Sequence, residues 1–388
     1  MIKNIVAFCI LSLFIVACSK DDNNSSEAVD RTVLVYMAAD NSLSENVAAN
    51  VDSMASGYAK SANVGNLIVY LDNKYEVPVL IEFVKDKRGI VTQKTVKTYP
   101  EQNSCSPTVM SNVLSDVISL YPSVSNSYGL ILWSHGTGWL PSPANSKATT
   151  TKWFGQDDSN YMDISDLVSA LNTVPHFDFI LFDACFMGGV EVAYALRNNA
   201  DYLIASPTEI LEFGFPYGDI ITPIFAEGQP DHQKIASLFY DHYNALASYN
   251  QSASVGVVKC DELESLAAET NKLITTHVDQ LNNISTSGIQ YLECYSPHEF
   301  YDFGGFIESF TTEEERIGFE VQLNKTVLYK ASTPKILSVL SSSYYELIPI
   351  SNFCGINTYI PQNNTSSLNT SYKSYEWYTA SGLAKTAW

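Results

Sequence analysis

Two apolar runs, the second beginning some fifty residues after the first, end in side chains able to do covalent chemistry. The first, Ile131-Leu132-Trp133-Ser134-His135-Gly136-Thr137-Gly138-Trp139, leads to a histidine. The second, Ile180-Leu181-Phe182-Asp183-Ala184-Cys185-Phe186-Met187-Gly188-Gly189, leads to a cysteine. Short runs of this kind are expected of buried parallel strands, and open α/β sheets carry their chemistry where loops gather at the carboxyl ends of such strands. A histidine and a cysteine at neighbouring strand ends form a nucleophilic pair, in which sulfur attacks a carbonyl carbon and the imidazole handles the proton. Either residue alone reads more simply as a buried thiol or a strand-capping imidazole. The pair at matching strand ends favours catalysis.

The neighbours of the pair have expected roles. A helix starting near Phe186, together with His135, would stabilise a Cys185 thiolate. Gly136 and Gly138 would let backbone approach a substrate carbonyl, with the N–H groups of Gly136 and Cys185 as oxyanion donors. A serine esterase is disfavoured, because no G-x-S-x-G elbow occurs. His176, His232, His242, His277 and His298 lack partners at metal-ligand spacing, no C-x-x-C pair exists, and no metal is needed for the chemistry. Asp157-Asp158 with Asp163 is the one acidic group that suggests calcium, without EF-hand spacing.

The elements that must position these residues alternate between strand-like and helix-like segments, the pattern of an α/β fold with a mainly parallel sheet and helices on both faces. Strands are expected at 32–38, 66–71, 79–84, 128–134, 177–183, 201–206, 254–259 and 355–360. Helices are expected at about 43–58, 108–120, 164–174, 186–197, 232–249, 263–281, 313–330 and 334–342. The segment 142–160, whose first part is small and polar without periodicity, reads as a surface loop at the rim of the site. Its two basic residues, Lys147 and Lys152, are the candidate points of self-cleavage, Lys147 being favoured.

The chain has 388 residues, 46% of them hydrophobic, enough for a large core. A net charge of −20 and a pI of about 4.6 argue against nucleic acid and anionic membranes as partners and favour basic ligands. Lys3 followed by an apolar stretch from Ile5 to Val16 reads as an export signal. Ile15-Val16-Ala17-Cys18 resembles a bacterial lipobox, so 1–17 is expected to be a lipoprotein signal peptide and Cys18 the lipidated residue, the alternative being an ordinary cleaved signal with an incidental cysteine. A polar tether, 18–30, and one folded domain, 31–388, follow. The expected location is the bacterial cell envelope, at the outer membrane or cell surface, held by the lipid alone. Cys105, Cys260, Cys294 and Cys354 are an even set that permits either disulfides or reduced thiols.

The two segments resemble those of the clostripain family of cysteine peptidases, relatives of caspases, legumain and gingipains. Tyr36-Met37-Ala38-Ala39-Asp40-Asn41-Ser42-Leu43 is similar to that family's first strand and turn, and Gly355-Ile356-Asn357-Thr358-Tyr359-Ile360-Pro361 to its final core strand. The resemblance implies a caspase–haemoglobinase-like three-layer α/β/α sandwich and an endopeptidase with a His135–Cys185 dyad. It further implies self-processing, cleavage after Arg or Lys in peptide or protein substrates, and tolerance of calcium. Asp183 matches an acid that shapes the primary specificity pocket, as suits a buried cation. Ser206 and Glu209, at the end of the next strand, are candidates for its other wall. Gly214-Phe215 stands where the family commonly has Gly-Trp. The competing function is a non-catalytic surface-binding lipoprotein on the same fold.

Overall fold

In the computed structural model, which describes residues 29–62, 65–140, 153–341, 344–362 and 365–388, alternate residues of the central strands face opposite helical layers. Strand β1 (Val29–Ala39) sends Val33, Val35 and Met37 into one core and Leu34, Tyr36 and Ala38 into the other. Buried on both faces, it shows no polar alternation, as expected inside a parallel sheet. In chain order follow α1 (Val47–Lys60), β2 (Asn66–Asn73), β3 (Glu76–Lys85), β4 (Val91–Thr98), α2 (Pro107–Leu120) and β5 (Ser123–Trp133). Then come β6 (Phe154–Asp157), β7 (Asn160–Met162), α3 (Ile164–Leu171), β8 (Phe177–Asp183), α4 (Val190–Leu196) and β9 (Ala200–Ala205). The second half holds α5 (Tyr217–Ile224), α6 (His232–Asn244), β10 (Ser254–Lys259) and α7 (Leu263–Thr276). It ends with β11 (Tyr301–Asp302), β12 (Val327–Ser332), β13 (Lys335–Ser341), β14 (Tyr344–Pro349) and β15 (Asn357–Thr358), with a fourteen-residue helix (Glu313–Thr326) and further short helices between and after them.

Nine strands form one sheet in the order β12-β10-β9-β8-β5-β1-β2-β3-β4. The five central strands are mutually parallel, and two strands on each flank pair antiparallel with their neighbours. Helices α1, α5 and α6 cover one face through Met54, Ile221 and Phe239, while α2, α3, α4 and α7 cover the other through Leu114, Leu167, Val192 and Leu266. This is the expected α/β/α sandwich. Its decisive register lies between β5 and β8, where Trp133 stands opposite Asp183. His135 and Cys185, each two residues further on, therefore leave the sheet at the same height.

Several expected elements differ. The helix after the cysteine begins at Val190 rather than near Phe186, because residues 185–189 pair with the loop after β9. The helix expected over 313–330 ends at Thr326, and Val327–Ser332 becomes the edge strand against β10. The segment read as a helix at 334–342 is strand β13, hairpinned with β14. Short apolar runs fit either period, and here a partner strand decided between them. Strand β4 was missed because it is a polar, Lys-bearing edge strand. The strand expected at 355–360 is only Asn357–Thr358, paired with β11 outside the main sheet. Within 142–160, Trp153 and Phe154 are buried and Phe154–Met162 forms a hairpin, so a surface loop can extend no further than 152. Cys18, Lys147 and Lys152 lie outside the described residues.

Gly256 of β10 brings the C-terminal segment against the sheet: a Cβ added there would stand 2.2 Å from the Gly355 carbonyl oxygen. Backbone cannot yield as a side-chain tip can. Gly256→Ala is expected to destabilise the protein by about 1–3 kcal/mol, read as a lowered denaturation midpoint in urea.

Candidate active site

Cys185 is half-buried in a loop stitched to the chain that leaves β9. Phe186 N–H donates to Thr208 O at 2.9 Å and Gly188 N–H to Ser206 O at 2.8 Å. The sulfur itself accepts from Ile210 N–H at 3.3 Å and lies 3.6 Å from Ile210 O. The amide that serves the thiol thus comes from Ile210 and not from a helix N-terminus, which corrects the expected source of stabilisation. Phe186 takes φ of +60°, a costly conformation for a residue with a side chain, and its ring stacks on Phe300 at 4.4 Å. Asn357 braces the same loop, donating from its backbone to Gly188 O at 2.9 Å and from its side chain to Pro207 O at 2.8 Å. Buried Glu191, on α4, accepts from Thr358, Tyr359 and Tyr372 and so fastens the C-terminal segment behind the nucleophile.

His135 is held from three directions. Its Nε2 lies 2.8 Å from Ser42 Oγ, its carbonyl accepts from Gly155 N–H at 3.0 Å, and its ring meets Trp153 edge-on at 6.2 Å. Asn41 ties the turn after β1 to this loop through Ala38 O, Gln156 O and Ser134 Oγ. Ser42, Asn41 and Trp153 were not picked out as site residues: no catalytic spacing or motif marks them, and only their contacts around His135 give them a role. The two loops touch at Gly136, where a Cβ would stand 2.8 Å from the Cys185 carbonyl oxygen. The space granted by this glycine is filled by the nucleophile loop's own backbone.

The remaining candidates divide. Asp183 is buried directly beneath the site, its Oδ2 accepting from Phe215 N–H at 3.0 Å and Tyr217 O–H at 2.8 Å. Glu209 bonds the β13 hairpin, accepting from Ser338 Oγ at 2.7 Å and Val339 N–H at 2.9 Å, rather than standing as a solvated loop acid. Ser206 turns its hydroxyl into a buried network with Thr208 and Ser254, so it supports the nucleophile loop and does not face a pocket. Asp157, Asp158 and Asp163 do not converge: Asp157 accepts from Ser104 N–H, Asp163 precedes α3, and among the described residues no cluster of three or more His, Cys, Asp or Glu forms a metal site. Cys105, Cys260, Cys294 and Cys354 are all free thiols.

The sequence profile of the clostripain family matches residues 35–388. The chain belongs to that family. It is 25% identical over 439 residues to clostripain of Hathewaya histolytica, covering 92% of this chain and 80% of that one. Among solved structures it is similar to an inactive zymogen of a C11 protease from Parabacteroides distasonis, with 39% identity, a TM-score of 0.81, and coverage of 91% of this chain and 98% of that one. It is also similar to a secreted C11 cysteine protease from Bacteroides thetaiotaomicron solved with an irreversible peptide inhibitor, at 37% identity, a TM-score of 0.80, and coverage of 92% and 99%. The chain is therefore a cysteine-type peptidase with a caspase-like fold.

In this clostripain-family site the unliganded Cys185 thiol and His135 imidazole are held neutral at pH 7. Burial pushes the Cys185 thiol up to about 12, with the Glu209 and Asp183 carboxylates adding to the rise and the Ile210 N–H opposing it. Burial lowers His135 below its usual value. Burial also raises Asp183 to about 6 and Glu209 to about 7, although each accepts two hydrogen bonds that pull the other way. Cys185 and His135 are therefore not a standing ion pair, and the thiol must lose its proton during substrate binding or attack. Alkylation of Cys185 by iodoacetamide in the unliganded protein is expected to keep accelerating above pH 9, without a plateau near neutrality. Glu209→Gln, which removes a repelling charge, should shift that profile to lower pH. A plateau near pH 7 would show the thiolate already formed.

Proposed function

We propose that this protein is an endopeptidase cleaving after Arg or Lys through His135 and Cys185. The observation that carries the proposal is the paired register of β5 and β8, with the Gly136 loop packed on the carbonyl of Cys185. Sulfur bonds the scissile carbonyl carbon, and the thiol proton passes by way of the His135 imidazole to the departing amine as the C–N bond breaks. Water then hydrolyses the thioester, releasing the acid and restoring the thiol. The N–H groups of Gly136 and Cys185 are the candidate donors to the oxyanion. Asp183 and Glu209 supply the acidic side of the site. A bound Arg or Lys would offset the two carboxylates that hold the thiol protonated, so a basic substrate would favour formation of its own nucleophile.

Asp183→Asn separates charge from architecture, since the amide oxygen can still accept from Phe215 and Tyr217. With Asp183 at about 6 against an ordinary 3.8, the folded state binds the proton more tightly. Its contribution to stability therefore falls as pH rises from about 4 to 6. The variant is expected to be at least as stable as the parent at pH 7.5, yet to lose most cleavage after Arg and Lys. Cys185→Ala should abolish turnover and His135→Ala should lower the rate by about two to four orders of magnitude. Profiling a peptide library with the parent and these variants tests the proposal; near-parental activity in either dyad variant would sink it.

Self-processing after Lys147 or Lys152 belongs to the same reading, and a relative crystallised as an inactive zymogen is in keeping with it. Trp153 is buried and its N–H bonds Thr137 Oγ1 at 2.9 Å, which argues against a cut immediately before it and for Lys147. N-terminal sequencing of purified protein is expected to find a new end at Ala148, absent from Cys185→Ala; an end at Trp153 would contradict this choice. Export is supported by the N-terminal signal and by a secreted relative, and anchoring through Cys18 by the lipobox-like sequence. Among the described residues no helix is long and apolar enough to cross a membrane.

A further inference from the structure

Beside the nucleophile, beyond Ile210, opens a cleft of about 340 Å³. One wall is the 209–213 segment, the other is strand β13 at Leu337 and Val339, and Tyr249 lies between them. Three of its large apolar side chains stand well exposed: Phe213 at 54%, Tyr249 at 53% and Val339 at 40%. Scattered apolar residues are ordinary on a surface, but these three come from distant parts of the chain and converge on one concavity. Glu209 sets the spacing of the walls, because its carboxylate joins the 209–213 segment to Ser338 and Val339. The cleft is thus formed before any ligand arrives.

Its position selects the occupant. Ile210, which lines the cleft, touches the Cys185 sulfur with both its N–H and its carbonyl, so the cleft adjoins the reacting centre. The departing amine must lie near His135 to receive its proton, so the acyl half of the substrate extends to the other side of the sulfur. An extended peptide advances about 3.3 Å per residue, which carries the second to fourth residues before the scissile bond along this cleft. We infer that the cleft is a specificity subsite for an apolar side chain located two to four residues before the scissile bond, read by Phe213, Tyr249 and Val339. The inference rests on the endopeptidase reading of the site and adds a second determinant to the basic residue.

The test is a peptide set with a constant Arg or Lys before the scissile bond and Leu or Gly placed in turn at each of the three positions upstream. The parent enzyme is expected to favour Leu over Gly by about tenfold or more in kcat/KM at one of these positions, as an apolar pocket discriminates. Phe213→Ala combined with Tyr249→Ala, both at exposed positions, should bring that ratio close to one, whereas Val124→Ala, also exposed but outside the cleft, should leave it unchanged. A parent ratio near one at all three positions, or a ratio unmoved by the double variant, overturns the inference. If the parent cleaves none of the set but cuts a mixed library after another residue type, the basic-residue reading fails instead. The Leu and Gly pairs rebuilt on that residue then decide the cleft by the same ratio.

Discussion

The site depends on one register. Trp133 and Asp183 face each other across two parallel strands, and the chain leaves both strands two residues before its reactive side chains. Parallel strands require a crossover between them, here the β6–β7 hairpin and α3. That crossover returns Trp153 and Gly155 to the histidine loop and so helps to position His135. A slip of one residue between β5 and β8 would move every side chain of one strand to the opposite core. The same burial that forbids the slip therefore keeps histidine and cysteine at one height.

Around that register the molecule accumulates acid and excludes water, and the two tendencies pull the chemistry in opposite directions. Burial and neighbouring carboxylates both keep the Cys185 thiol protonated. Burial also keeps His135 neutral, so no positive charge stands ready to stabilise the thiolate. The unliganded thiol is therefore held in its protonated form. Asp183 and Glu209 are committed to backbone and hydroxyl donors in the unliganded state, which fixes their positions.

The Cys185 loop is also supported from far along the chain. Asn357 clasps Gly188 and Pro207, while Glu191 receives three donors from residues 358–372. Ring stacking of Phe186 on Phe300 helps to hold a left-handed backbone turn immediately after Cys185. A peptidase that cut its own chain between Leu140 and Trp153 would leave all of these contacts in place, since none crosses that segment.

The sequence by itself determined the class of fold and named the two candidate reactive residues, because both signals are local. Buried parallel strands must be apolar on both faces, and a thiol and an imidazole are given by residue type alone, so these leave marks that need no partner to read. What surrounds them was legible only in part. Asp183 and Glu209 could be named, but that one is bonded to Tyr217 and the other to a hairpin some 130 residues away followed only from the fold. Ser206 read as a pocket wall, yet the pairing of β9 with β10 turned its hydroxyl inward toward Ser254. Residues 334–342 fit helix or strand equally, and pairing with β14 decided for strand. Ser42, Trp153 and the Ile210 amide have no compositional signature at all. Their roles arise from contact across long sequence separations, which only tertiary packing creates.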